Sequence, residues 1–375
     1  MPSGQGGVEE STRTVKAEAL RLGFSSVGIA PAAALSQRNA ELTRWITSGF
    51  SGRLTYMERF LERQEHLLAR FQDLRSIVVL AASYGPVPRP QPESSGPSGL
   101  VARYAWGQDY HKAIRKRLKA LEVFLMGRFP GVETLASVDT APFPERALAE
   151  AAGLGFFGKN TCLIQPKGGS YFFLSALLTN LELTPDRPMA WDCGSCTLCL
   201  QACPTQALVR PYELDANRCI AYLTIELREA IEPTLRPLVG DWLFGCDLCQ
   251  EVCPYNAPAS WRASQGEGLS PWPEFRPGAG AGGALPISEI LGLRSDEAFL
   301  NRFAGTPLMR AKRESLLRNA CTVAGNLKDP ALIDPLKACL EEDPSSLVRE
   351  QAAWALDQIA SSARAAASHP ARIPT

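Results

Sequence analysis

The chain has 375 residues, 45% hydrophobic and 21% charged, enough to bury a full core in two or three domains, which excludes a disordered or fibrous protein. Thirty-nine basic residues balance thirty-nine acidic ones, so no global field draws the protein to nucleic acid or anionic lipid, and any polyanion must meet a local basic patch. Eleven cysteines, an odd and high number, point away from disulfides and toward metal. No apolar run approaches the roughly 18 residues of a membrane span, and the start MPSGQGGVEESTR lacks a basic-then-apolar signal, so the expected location is cytoplasmic.

Residues 1–185 read as alternating helices and strands. A helix over 15–22 stops at Gly23 and precedes an apolar strand over 24–30. Leu42, Trp45 and Ile46 suggest a second helix before Gly49, and SIVVLAA at 76–82 reads as a buried strand. The Pro/Ser/Gly-rich stretch 86–99 is a surface loop. Ile114, Leu118, Leu121 and Leu125 fall at helical spacing behind His111, and a strand over 132–138 delivers Asp139 at its end. Strands over 161–164 and 171–178 complete a layered α+β domain.

Residues 186–260 carry eight of the cysteines with little periodicity, a segment expected to be organised by ligands rather than by a core. Residues 261–284, rich in Gly, Pro, Ala and Trp, read as a linker. In 285–375, Val348, Ala352, Ala355 and Ile359 share a helical face. Aligning Arg318 with Arg349 also aligns Cys321 with Ala352 and Ala324 with Ala355. This pattern suits a short HEAT-like repeat or a plain helical bundle.

Cys193, Cys196, Cys199 and Cys203-Pro204 spell C-x2-C-x2-C-x3-C-P, the ferredoxin spacing in which three thiolates hold one cluster and the fourth reaches its neighbour. The second run, Cys246, Cys249 and Cys253-Pro254, has Leu243 where a first cysteine would stand, and Cys219 lies between the runs to replace it. The crossover rule assigns Cys193, Cys196, Cys199 and Cys253 to one cluster, and Cys203, Cys219, Cys246 and Cys249 to the other. A pair of structural zinc sites is the alternative. Cys162, Cys321 and Cys339 read as small buried hydrophobes. Two clusters form an electron wire, which serves either a reaction on this chain or a partner.

RYAWGQDYH (103–111), VDTAPFPERALAEAAGLGFFGKN (138–160), CGSCTLCLQACPTQAL, CIAYLTIE (219–226), FGCDLCQEVCPYN (244–256) and GTPLMRAKRESLLRNACTVAGN resemble the epoxyqueuosine reductases over about residues 16–359. The resemblance implies an α+β, mixed-sheet corrinoid-binding domain, a ferredoxin-like insert with two 4Fe-4S clusters and a C-terminal α-helical HEAT-like domain. It implies an oxidoreductase that reduces the epoxide of epoxyqueuosine at the tRNA wobble position to queuosine, with cobalamin as working cofactor and an external low-potential electron donor. A monomer is expected, and the resemblance implies cobalamin contacts at Arg103, Tyr104, Asp139, Lys159, Asn160, Ser170, Tyr222 and Asp247.

Asp139 is the expected catalytic proton donor, because a leaving epoxide oxygen needs a positioned acid. A carboxyl at its ordinary pKa near 4 is ionised at pH 7, so the site is expected to raise that value by burial or a neighbouring negative charge. Glu145 and Arg146 are supporting candidates. His111, although Asp109-Tyr110-His111 begins like a cobalt-ligating signature, is not assigned to cobalt, since Ile114 replaces the glycine of that signature. Two stretches, 101–128 and 301–328, each carry a net charge of +5 by count. They nominate tRNA contacts, with Arg310, Lys312, Arg313 and Arg318 as candidates.

Overall fold

The structure, a computed structural model, describes residues 5–85, 96–257 and 272–368. Its first part runs α1 (Gln5–Arg21), β1 (Ser26–Pro31), α2 (Asn39–Thr47), α3 (Phe60–Arg70), β2 (Ser76–Ser83), β3 (Ser98–Val101), α4 (Tyr110–Arg128), β4 (Thr134–Ser137) and α5 (Glu145–Ala151). The short strands β5 (Phe156–Phe157) and β6 (Leu163–Ile164) and the long β7 (Phe172–Thr179) follow.

The main sheet has the order β1-β2-β7-β4. Period-2 alternation along β2 sorts its side chains between two cores. Val78, Leu80 and Ala82 pack with Val15, Ala19, Ile114, Leu118, Leu121 and Leu125 of α1 and α4. Ile77 and Val79 pack with Leu148 and Ala149 of α5 and with Ala34 and Leu35. The result is a sheet covered by helices on both faces, which is why β2 reads as a continuous apolar run. The expected mixed pairing is not found in this sheet: every pair is antiparallel, because β7 inserts between β2 and β4, which run the same way.

The cysteine-bearing segment contains α6 (Leu198–Ala202), β8 (Leu208–Arg210), β9 (Glu213–Leu214), α7 (Ile220–Ile225), β10 (Trp242–Phe244) and α8 (Leu248–Glu251). Contrary to expectation it is packed around an apolar core, which it shares with Ala102, Trp45 and Leu100 of the first part of the chain. Ala216, Ile220, Tyr222, Leu223, Leu227, Ile231, Val239 and Trp242 cluster between the two cysteine runs. A second sheet, β10-β3-β11 with β11 at Ala284–Pro286, is the mixed one, β10 pairing parallel and β11 antiparallel to β3. It ties the three parts of the chain together.

The described part of the expected linker is packed. The Trp272 indole N–H donates to the Gly23 carbonyl at 2.8 Å, and Arg117 grips Glu274 at 3.0 and 3.1 Å. Residues 261–271, like 86–95 of the expected loop, lie outside the described residues.

The C-terminal part is helical: α9 (Ile287–Leu291), α10 (Asp296–Phe303), α11 (Lys312–Leu327), α12 (Ile333–Glu342) and α13 (Ser346–Ser368). Val348, Ala352, Ala355 and Ile359 face a core with Leu317, Ala320, Cys321 and Ala324 of α11. A Cβ on Gly325 would stand 2.4 Å from the Trp354 ring, so that glycine sets how closely α11 and α13 approach. No helix among the described residues is long and apolar enough to cross a membrane.

Candidate active site

Asp139 follows β4 in a left-handed backbone conformation, φ 58°. Its N–H donates to Glu145 Oε1 at 2.8 Å, which anchors this strained residue to the start of α5. Asp139 Oδ2 accepts from the Tyr110 hydroxyl at 3.0 Å and meets His111 Nε2 at 3.1 Å. Tyr110 stacks on Phe173 of β7, centroids 4.2 Å apart, and His111 stacks on Tyr110 at 4.1 Å. The carboxylate side chain is 59% exposed.

The expected rise in the Asp139 pKa is overturned. The His111 hydrogen bond, opposing burial and helped by the Tyr110 hydroxyl and the charges of His111 and Arg310, holds the Asp139 carboxyl below its ordinary value. Burial opposes charging of His111, but hydrogen bonds to Asp109 and Asp139 outweigh it and push that pKa up to about 9. Burial pushes Glu145 up to about 8, with the Asp139 charge adding to it and the Asp139 N–H opposing. Arg146 donates to the Thr161 carbonyl at 2.6 Å, away from Asp139. Sequence reasoning missed Tyr110 and His111 as partners of Asp139. The signal was Asp109, whose side chain caps α4 and fixes the ring beside it.

The thiols fall into two neighbourhoods. Cys193, Cys196, Cys199 and Cys253 line one pocket with Lys159, Asn160 and Tyr255. The Cys199 thiol is pushed up to about 11 by burial and by Cys193, Cys253 and Cys196. Burial together with Cys219, Asp247 and Cys203 raises Cys246, and Cys249 feels Cys246 and Cys219. Backbone N–H groups of Lys159 and Ala207 donate to the sulfurs of Cys193 and Cys203 at 3.4 and 3.3 Å, the kind of contact that stabilises thiolates. Among the described residues no three His, Cys, Asp or Glu side chains are spaced to hold a single metal ion. All-thiol quartets with N–H support suit iron-sulfur clusters in donor chemistry. Cys162 is half-buried rather than buried, and its thiol interacts with that of Cys249. Cys321 and Cys339 are buried.

Most of the cobalamin candidates gather around α8. The Asp247 carboxylate, 2% exposed, accepts from the Arg103 N–H at 2.8 Å and meets its guanidinium at 3.3 Å. The Ser170 hydroxyl bonds Gln250 at 2.8 Å, and the Asn160 amide donates to the Cys249 carbonyl at 3.2 Å. Half-buried Tyr104, next to Arg103 in the chain, meets Tyr110 with centroids 6.4 Å apart, and the charges of both Asp139 and Asp247 act on it. This set suits a cofactor wall, with Arg103 and Tyr104 as its face and Asn160, Ser170 and Asp247 as its support. Lys159 and Tyr222 are already engaged within the protein. The Lys159 amine is committed to the Gly194 and Cys196 carbonyls at 2.6 and 2.9 Å, and the Tyr222 hydroxyl accepts from the Arg53 N–H at 2.8 Å.

Of the tRNA candidates, Arg313 and Arg318 are corrected. Arg318 is completely buried, donating to the Leu223 and Leu227 carbonyls at 2.6 and 3.1 Å. Arg313 is 6% exposed and held by Asp343 and the Leu293 carbonyl. Arg318 joins the C-terminal helices to the cysteine segment, Arg313 ties those helices to one another, and neither presents its charge to solvent. Lys312 is exposed, and Arg310 makes a two-pronged pair with Glu226 at 2.9 Å.

In comparisons with known proteins, residues 192–256 match the 4Fe-4S double cluster binding domain, 65–140 the family described as epoxyqueuosine reductase QueG, and 306–368 HEAT repeats. The chain is 40% identical to the epoxyqueuosine reductase of Pseudomonas aeruginosa, covering 92% of this chain and 93% of that one. It is 36% identical to the Escherichia coli enzyme, covering 94% and 90%. The fold is similar to epoxyqueuosine reductase from Bacillus subtilis, solved with its catalytic aspartate loop swung out of the active site (TM-score 0.83, 30% identity, 93% of this chain and 90% of that one). It is also similar to an epoxyqueuosine reductase solved with an epoxyqueuosine-modified tRNA-Tyr stem loop (TM-score 0.81, 31% identity, 93% and 90%).

Proposed function

The chain belongs to the epoxyqueuosine reductase family, and from that premise we propose that it reduces the epoxide of epoxyqueuosine at the tRNA wobble position to the alkene of queuosine. Two 4Fe-4S clusters, on Cys193, Cys196, Cys199 and Cys253 and on Cys203, Cys219, Cys246 and Cys249, carry electrons from an external low-potential donor. Cobalamin, when bound, would supply low-valent cobalt as the reductant of the epoxide. Arg103 and Tyr104 would hold that cofactor, and Asp139 delivers a proton to the departing oxygen. Overall, epoxide, two electrons and two protons give alkene and water.

One observation carries the reading: the Tyr104 ring meets Tyr110, centroids 6.4 Å apart, whose hydroxyl donates to Asp139, while the adjacent Arg103 binds Asp247, so electron delivery from the second quartet and proton delivery at Asp139 would meet at one place. The RNA must splay the wobble nucleotide from its loop to reach it. Lys312 and Arg310, on the rim where Arg310 also faces Asp139, are the proposed phosphate contacts. Exposed Lys112, Arg115 and Lys116 of α4 extend the basic surface. The test is anaerobic reconstitution with iron, sulfide and cobalamin, then nucleoside mass analysis of tRNA carrying epoxyqueuosine. Loss of one oxygen from that nucleoside is expected; an unchanged mass with both cofactors loaded defeats the proposal.

A further inference from the structure

We propose that His111 is the proton reservoir for Asp139: the imidazolium holds the proton on Nε2 and passes it through the Asp139 carboxylate to the oxygen leaving the substrate. This rests on the function proposed above and adds a positioning residue to it.

The geometry is a chain of three side chains. Asp109, the N-cap of α4, accepts from the His111 backbone N–H at 3.0 Å and holds Nδ1 at 2.7 Å. With Nδ1–H committed to Asp109, Nε2 is left to face Asp139 Oδ2 at 3.1 Å. Stacking on Tyr110, itself stacked on Phe173, keeps the ring from turning away. Asp139 Oδ1 has no hydrogen-bond partner among the described residues, which leaves that oxygen for the substrate.

The charges around the ring decide where the proton rests. Asp109 and Asp139 face His111 directly, Lys112 acts on Asp109, and Glu145 and Arg310 lie beyond Asp139. The positive end of α4 opposes protonation, but two carboxylates in contact outweigh it. An ionised Asp139 cannot donate, and the His111 proton removes that difficulty. In the step, the Nε2–H bond breaks as an O–H bond forms on Asp139 Oδ2; the carboxyl then turns about its Cβ–Cγ bond to present that O–H to the substrate, and the bond breaks as the leaving oxygen is protonated. His111 is left neutral with Nδ1–H on Asp109. The electrons come from the external donor through the clusters, and solvent, which reaches the exposed Asp139, supplies the second proton and recharges His111.

Two measurements test this on the full-length, cluster-loaded protein. With only three histidines in the chain, a 13C-histidine NMR titration resolves His111. It is expected to titrate near pH 9 in the parent and at least about one unit lower in Asp139→Asn. Because the protonated form works, single-turnover epoxide loss should hold below that value and fall as pH rises through it. His111→Gln should slow the step at least about tenfold and abolish the high-pH limb, with tRNA affinity unchanged. A parent His111 titrating at or below its ordinary value of about 6.5, or a His111→Gln enzyme with parental rate and limb, overturns the reservoir. If His111→Gln fails to hold iron, the parent titration alone decides. A slow Asp139→Asn beside a normal His111→Gln defeats only the reservoir, whereas a parental Asp139→Asn defeats the donor assignment beneath it.

Discussion

Cys193, Cys196, Cys199 and Cys203 lie within a few turns of chain, whereas Asp139, Tyr110 and His111 meet only because the last residues of β4 and the start of α4 reach the same end of the main sheet. The first arrangement is local. Short C-x2-C turns bring thiols together whatever the surrounding fold does, and nearby N–H groups complete them. The second is tertiary and depends on the register of β4 against β7 and on the aromatic stack behind it. Local sites announce themselves in spacing, while tertiary ones show in a sequence as single residues with uncertain partners.

The largest effect is expected where locality is weakest within the quartets. Cys219 reaches its set from the start of α7, and its thiol, raised by burial, also feels Cys203. Cys219→Ala should leave Cys193, Cys196, Cys199 and Cys253 intact while disabling the other site. Iron should fall from about eight to about four atoms per chain, with turnover lost because the electron path is cut. Iron analysis and anaerobic turnover check this, and retention of both clusters would remove Cys219 from the ligand set.

A smaller effect is expected at the proton centre. Asp139→Asn keeps size and hydrogen bonding but cannot relay a proton, so the chemical step should slow by at least about a hundredfold while tRNA still binds. Single-turnover rates with bound tRNA check it. A rate within about threefold of the parent, roughly 0.6 kcal/mol on the barrier, would show that Asp139 does not deliver the proton.

The two regions also explain what could be read in advance. The ferredoxin spacing carries its chemistry in one dimension, and the buried runs of β2 and β7 carry the layered sheet. The protonation of Asp139 did not follow from its neighbours in sequence, because its pKa is set by His111, twenty-eight positions away along the chain. The core between the cysteine runs went unseen because Ala216, Ile220, Tyr222 and Leu227 show no long period. Arg313 and Arg318 were counted as surface charge for a related reason. The carbonyls of Leu223 and Leu227 that bury Arg318 come from another segment, and no count of basic residues distinguishes a guanidinium bonded inward from one facing water.

That distinction gives the third prediction, on stability. Arg318→Leu removes the donor from buried carbonyls, each costing about 1–3 kcal/mol when left unpaired. Thermal unfolding should therefore fall clearly for Arg318→Leu and hardly at all for Lys312→Gln, whose side chain is exposed. Equal melting of the two variants would mean that Arg318 contributes nothing at the junction between α11 and the cysteine segment.

The smallest expected effect is on tRNA binding, and it separates two neighbours. Lys312 is exposed and can meet a phosphate at no structural cost, so Lys312→Gln should reduce the slope of log K against log salt by about 0.7 to 0.9. Arg310 is already paired with Glu226 through both oxygens, and an exposed pair of this kind is worth only about 0–1 kcal/mol, so RNA can compete for it. Arg310→Gln should then weaken binding less than Lys312→Gln does. Glu226→Gln, which frees the guanidinium, should tighten it. Salt-dependent tRNA titrations of the three variants check the order. Unchanged slopes in all three would place the phosphate contacts elsewhere, with the exposed Lys112, Arg115 and Lys116 of α4 as the surface to probe next.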